Sequence, residues 1–387
     1  MEPLPPLCDP SRPPWEIRFE DASHQVLSVM PGESAATFLD PLLGAPVAWE
    51  QDVYCPTCTL YNGRIVAVYR AYGADEQWRM GLAWSDDGRT FQKQPEPVFH
   101  ALPGDPLVES VRRDPARSVS YGDSRIVARE DGVYVLLFNV FQHIAHPNQE
   151  LAVATTRDFV YWTMHGRAFA GLAASDQEVI PEKAPWRLPH PAVVTRLAGG
   201  RLVAARIGGR YWMYLNCLST IGPPCLCAAT SDDLIRWELV RGPDGSLLHP
   251  MPLRPGRFDS FYVDTTAAVL RHDGILLIYN GINDDPAANG DPRLSRYAHY
   301  PAQALFDAAD PTRLLARSET PFRGADPALE ALPRVFWHAP LYESWSLVPH
   351  RGELLLYWNH GFGRRSVGLW KADLVGSGLL DDTAEER

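Results

Sequence analysis

The chain has 387 residues, 45% hydrophobic and 21% charged, with twelve Trp, fifteen Tyr and a formal net charge of −11. That is enough apolar material for a sizeable core and too much for a disordered polymer. The acidic balance lacks any basic run and argues against a nucleic-acid partner, no apolar stretch nears the roughly 18 residues of a membrane span, and no membrane partner is expected.

Residues 1–45 read as an N-terminal extension packing on the main fold, and 376–387 as a C-terminal tail. Met1–Pro14 is Pro-rich without a signal-peptide pattern. The six Cys do not form a secreted-type framework. Cys55-x-x-Cys58 lacks a second matching pair, and Cys225-x-Cys227 lies in an alternating strand. Structural thiols are therefore expected, with no metal and no cofactor, in a cytoplasmic protein.

From there a pattern repeats: an apolar strand, a turn, a second strand ending in aromatics, then a third strand and an Asp-rich turn. Thr57–Tyr72 leads to Arg79–Phe91, and Ser124–Phe141 to Glu150–Trp162. Arg201–Tyr214 leads to Cys225–Trp237, Thr266–Asn280 to Tyr297–Phe306, and Trp345–Asn359 to Ser366–Leu374. Asn62-Gly63, Asp131-Gly132, Gly208-Gly209, Asp273-Gly274 and Arg351-Gly352 mark the tight turns, where Gly and Asn tolerate positive φ. Ser85-Asp86-Asp87-Gly88 and Ser231-Asp232-Asp233-Leu234 mark a second shared turn. About five such units predict an all-β fold, one five-bladed β-propeller spanning 1–387, with a two-sheet sandwich as the alternative.

The aromatic rings suit both β-rich cores, which take most of them, and surfaces on which sugars stack, and glycosidic cleavage needs two carboxyl groups. Three acids immediately precede strands that a propeller places around its axis: Asp123 in Tyr121-Gly122-Asp123-Ser124-Arg125, Asp264 after Phe258–Val263, and Glu343 in Tyr342-Glu343-Ser344. Each read singly fits a strand-capping carboxylate as well as a catalytic one. Together, flanked by aromatic and small residues, they point to one site.

The segments around these acids resemble glycoside hydrolase family 130, the β-mannoside hydrolases and phosphorylases, from about Trp49 to Leu374. Trp49–Pro56 is similar to the family's opening segment and Tyr69-Arg70-Ala71 to its Tyr-Arg-Ala strand end. Gly122-Asp123-Ser124-Arg125 resembles the Glu-Asp-Pro-Arg motif, Phe258-Asp259-Ser260 with Val263-Asp264 a Phe-Asp-Ser…Val-Glu run, and Tyr342-Glu343 the Glu-Gly-Leu-Val segment. Gln303–Asp307 and Leu314–Arg317 match the fourth blade. The departures are Cys55 for Asn, Gly122 for Glu, Ser124 for Pro, Asp264 for Glu, and Trp186–His190 without the family's Lys.

The resemblance implies Asp123 as general acid and Glu343 as part of the base site. The expectation is an inverting hydrolase of a β-mannoside or related oligosaccharide, Glu343 activating water with or without Asp264. Arg70, Arg125, Tyr121, His143, Asp259, Trp212 and Asp52 are candidate substrate contacts. Arg125 reads equally well as a structural partner of Asp123. Inorganic phosphate is the co-substrate of the alternative phosphorylase, against which Gln142-His143 stands where a phosphorylase has Arg. A non-catalytic sugar-binding propeller is the third reading, and a homo-oligomer is compatible with the sequence.

Overall fold

A computed structural model describes residues 11–28, 36–111, 119–141, 149–169, 190–217, 225–323, 342–359 and 366–379. The described residues are almost entirely β, with one short helix, Pro106–Val111, and a 3-10 turn at Val375–Ser377.

The strands pair as successive antiparallel meanders. Unit one is Asp52–Tyr61, Arg64–Tyr72, Trp78–Ser85 and Gln92–Lys93. Unit two is Ser120–Ala128, Tyr134–Phe141, Gln149–Thr156 and Thr163–Arg167. Unit three is Ala192–Ala198, Arg210–Cys217, Cys225–Ser231 and Glu238–Leu239. Unit four is Tyr262–Arg271, Gly274–Ile282, His299–Phe306 and Leu314–Arg317. Unit five is Ser344–His350, Glu353–Asn359 and Ser366–Asp373, and its fourth strand is the N-terminal Glu20–Ser28. The N-terminal segment is thus part of the sheet itself. It covers an edge that Ser366–Asp373 would otherwise expose.

The first strands of the units contact one another in chain order, and that of unit five contacts that of unit one. One of these neighbouring contacts is a parallel bridge, Val194 opposite Ala268, and the hairpin strand Arg201–Ala204 of unit three makes another, Val203 opposite Ala128 of unit two. One cavity is lined by all five first strands, among them Thr57, Arg125, Val193, Thr266 and Trp345.

The core lies between adjacent units, and the two-residue period of the second strands explains why. Val66 and Val68 pack toward Leu136 and Phe138 of unit two, while Ile65 and Ala67 pack toward Leu355 and Tyr357 of unit five. Val135 and Leu137 turn to Met213 and Leu215 of unit three. Each second strand is therefore apolar on both faces, as a strand between two neighbours must be.

The tight turns follow the sequence at Asn62-Gly63, Gly208-Gly209 and Arg351-Gly352, where both residues have positive φ. The unit-four turn is His272-Asp273, with Gly274 already paired opposite Arg271. The shared second turn recurs as anticipated: the Ser85 hydroxyl accepts from Gly88 N–H and the Ser231 hydroxyl from Leu234 N–H. Thr156 does the same for Phe159 N–H in unit two. Two expectations are corrected. Unit three begins at Ala192 rather than Arg201, because Gly199-Gly200 inserts a hairpin ahead of Gly208-Gly209. Cys227 is disulfide-bonded rather than a free thiol.

Candidate active site

The three acids come together around His190. Asp123, Asp264 and Glu343 are 1%, 2% and 7% exposed. One oxygen each of Asp264 and Glu343, and a ring nitrogen of His190, lie within 4.8 Å of one another. His190 Nδ1 is 3.1 Å from Asp264 Oδ1, and its Nε2 is 3.9 Å from Asp123 Oδ2. His299 Nδ1 stands 3.6 Å from Asp264 Oδ2 and 3.7 Å from Glu343 Oε1.

Backbone irregularity aims these groups. The register of the first strand shifts between Tyr54 and Thr57, between Gly122 and Arg125, between Thr265 and Ala267, and between Ser344 and Ser346. A bulge re-aims a side chain that regular pleating would send elsewhere. Two of the bulges carry positive φ, at Cys55 (55°) and Asp123 (47°). Four of five units therefore place a bulge at the depth of the acids.

A second recurring feature is polar. The second strand of every unit but the first carries a buried Asn after its aromatic or aliphatic run: Asn139, Asn216, Asn280 and Asn359, with Arg70 at the matching place in unit one. Four of these five side chains, Arg70, Asn216, Asn280 and Asn359, reach into neighbouring units. Arg70 Nη1 donates to Asp123 Oδ1, Asn216 Nδ2 to Asp264 Oδ1 (3.0 Å) and Asn280 Nδ2 to the Ser344 carbonyl (3.0 Å). Asn359 Oδ1 accepts from Cys55 N–H (2.8 Å), linking the last unit to the first, while its Nδ2 donates to Glu343 Oε2 (2.8 Å). Buried polar groups satisfied across units fix their mutual position.

The cations are held by aromatic faces. The Arg70 guanidinium lies 4.0 Å from the Tyr54 ring and 4.1 Å from Trp78, and Arg125 lies 3.7 Å from Trp345. Arg125 Nη2 donates to the Thr265 carbonyl (2.9 Å). Burial pulls Arg125 down to about 10, against the opposing pull of Cys55, Glu343 and Asp264. Burial pushes the Cys55 thiol up to about 12, against Arg70. For Asp264 burial also acts upward, but His190, His299 and the Tyr262 hydroxyl outweigh it and hold its carboxyl below the ordinary value.

Of the anticipated substrate contacts, Arg70 and Arg125 adjoin the acids, and Arg70 rather than Arg125 pairs with Asp123. Asp52 heads the strand carrying Cys55. Tyr121 is placed elsewhere: its ring packs among Phe99 and Phe138 and its hydroxyl donates to Asp105. Asp259 is buried against Arg254 (2.7 Å) and Arg317 (2.6 Å). Trp212 is half-buried and donates to the Ile207 carbonyl (3.2 Å). His143 lies outside the described residues. The sequence reading missed His190, His299, Asn216 and Asn359. An Asn closing the apolar run of the second strand would have found the asparagines, and starting unit three at Ala192 would have put His190 near the level at which the other units carry their acids.

No protein-family model and no curated protein matches the chain. Solved structures do. A protein from Parabacteroides distasonis assigned as a glycoside hydrolase is 31% identical, with a TM-score of 0.77 over 93% of this chain and 98% of that one. A structure from work on the family 130 mannoside phosphorylases, with glycoside hydrolases that target β-1,2-mannosidic linkages in Candida mannan, is 29% identical, with a TM-score of 0.79 over 94% and 96%. A β-1,2-mannobiose phosphorylase from Listeria innocua shares the fold at 16% identity and a TM-score of 0.61, over 91% and 95%. On this similarity over nearly the whole of both chains, the chain belongs to glycoside hydrolase family 130.

Proposed function

We propose that the five units close as a five-bladed β-propeller and that the chain hydrolyses a β-mannoside or related oligosaccharide with inversion. The closure is supported by first strands that contact in sequence back to the first, and by the Asn359–Cys55 bond. The observation that carries the activity is the meeting of Asp123, Asp264 and Glu343 from three separate units.

Asp123 Oδ1 is taken by Arg70, whereas Oδ2 has no hydrogen-bond partner among the described residues. Oδ2 is the oxygen free to pass a proton to the leaving group, directly or through a sugar hydroxyl. Glu343, oriented by Asn359, activates water together with Asp264. His190 stands between Asp123 and Asp264, 3.9 Å from the one and 3.1 Å from the other, and the proposed water lies on the Glu343 side of Asp264. Arg70 and Arg125 are committed to Asp123, to aromatic rings and to a backbone carbonyl. That favours water over phosphate as the acceptor, because a phosphate needs cations free to pair with it.

The test is incubation with β-mannosides and related oligosaccharides, with and without phosphate, followed by product analysis. Free reducing sugar without phosphate is expected, and its loss in Asp123→Asn. Product formed only with phosphate, as a sugar 1-phosphate, would falsify hydrolysis. Binding without turnover would mark a lectin-like propeller instead.

A further inference from the structure

Carboxylates alone leave the polar atoms around His190 unaccounted for. His190 is buried, and neither of its ring nitrogens has a hydrogen-bond partner among the described residues. Its 3.1 Å approach to Asp264 Oδ1 is an ion-pair distance without hydrogen-bond alignment. His299 Nδ1, facing Asp264 and Glu343, is likewise without a hydrogen bond. Buried imidazole nitrogens are normally satisfied, so several left over at one point ask for an occupant.

The geometry names one. Two ligand atoms about 2.0–2.2 Å from a common ion, at right angles, stand about 3 Å apart, and the His190–Asp264 separation is of that size. The two carboxylates are also braced from behind, Asp264 by Asn216 and Glu343 by Asn359, as metal-ligating carboxylates usually are. Two negative charges match a divalent ion.

We propose that His190, Asp264 and Glu343 bind a divalent first-row transition cation such as Zn2+ or Mn2+, with His299 beside it as a further ligand or as the partner of a coordinated water. A mixed imidazole and carboxylate set suits that class better than Mg2+ or Ca2+, which prefer oxygen throughout. The use of such an ion rests on the hydrolase reading, since it would sit where the attacking water is held. The binding of the ion does not depend on that reading.

The experiment strips the full-length protein with a chelator and titrates Zn2+ and Mn2+ by calorimetry, with elemental analysis after desalting. One ion per chain is expected. His190→Gln and Asp264→Asn should weaken binding by more than about 100-fold, beyond the loss usual for a supporting partner, while Asp123→Asn retains it. Circular dichroism and thermal unfolding identify the variants that keep the wild-type fold, and Glu343→Gln replaces any that do not. Failure of the wild type to hold either ion, or binding indifferent to these substitutions, overturns the site. Because the readout needs no substrate, a failed titration leaves glycoside hydrolysis standing. Ion binding without any turnover supports the site and removes the hydrolase reading alone.

Discussion

The Arg70–Asp123 pair makes an asymmetric prediction. The carboxylate side chain is 1% exposed and the guanidinium side chain 11%, so solvent screens the pair little. Arg70→Met keeps an aliphatic stem against Tyr54 and Trp78 but leaves a buried carboxylate whose next basic neighbour is His190 Nε2, 3.9 Å away. Removing one member of a buried pair costs about 3–5 kcal/mol. Asp123→Asn leaves Arg70 an acceptor oxygen and two aromatic faces, each worth about 0.5–2 kcal/mol, so only the charge-assisted part of one hydrogen bond is lost, about 1–2 kcal/mol. Urea unfolding of both variants at pH 7 should therefore rank Arg70→Met as the less stable by about 2–3 kcal/mol. The double variant should recover part of that gap, since it no longer buries an unpaired charge. If Asp123→Asn proves as destabilising as Arg70→Met, or the double variant the worst of the three, then the buried carboxylate is not the costly partner and the reasoning fails.

Two further outcomes are expected. Asp87 accepts backbone N–H bonds from Arg89 and Thr90, which hold its pKa at about 2 against an ordinary 3.8. A depressed carboxylate contributes stability that is fully present above its unfolded pKa and is lost as pH falls through the folded one. Asp87→Asn should thus be destabilising at pH 7 and nearly silent near pH 2, and a penalty unchanged between the two in paired melts would contradict it. Deleting residues 1–28 removes the outer strand of unit five and the hydrogen bond that the Ser318 hydroxyl donates to Glu16 (2.9 Å). Light scattering should then report association through the bared Ser366–Asp373 edge, and a monomeric, equally stable truncation would refute the role given to that strand.

Local chemistry made much of this protein readable in advance. Positive φ at Asn62-Gly63 and Arg351-Gly352, and the Ser-Asp-Asp turn that caps its own backbone, are decided by residues a few positions apart. The acids were legible for the same reason, although only Glu343 stands just ahead of its first strand, while Asp123 and Asp264 lie inside theirs, near the start. Unit three was not, because two Gly-Gly pairs lie within ten residues and either one can close a hairpin. That ambiguity moved the strand start to Arg201 and hid His190.

The repeat, most of its turns, the all-β class and the acids near strand starts follow from local residue pattern. The direction in which those side chains point depends on long-range packing. A bulge adds one residue and reverses the alternation that follows it, so Asp123 turns inward while Tyr121, two residues away, joins an aromatic core. Asp259, equally acidic and next to similar residues, is claimed by Arg254 and Arg317 instead. Contacts between units, such as Arg70 with Asp123 and Asn216 with Asp264, join residues about fifty positions apart. No local pattern encodes such a meeting, because it depends on how whole sheets pack against one another.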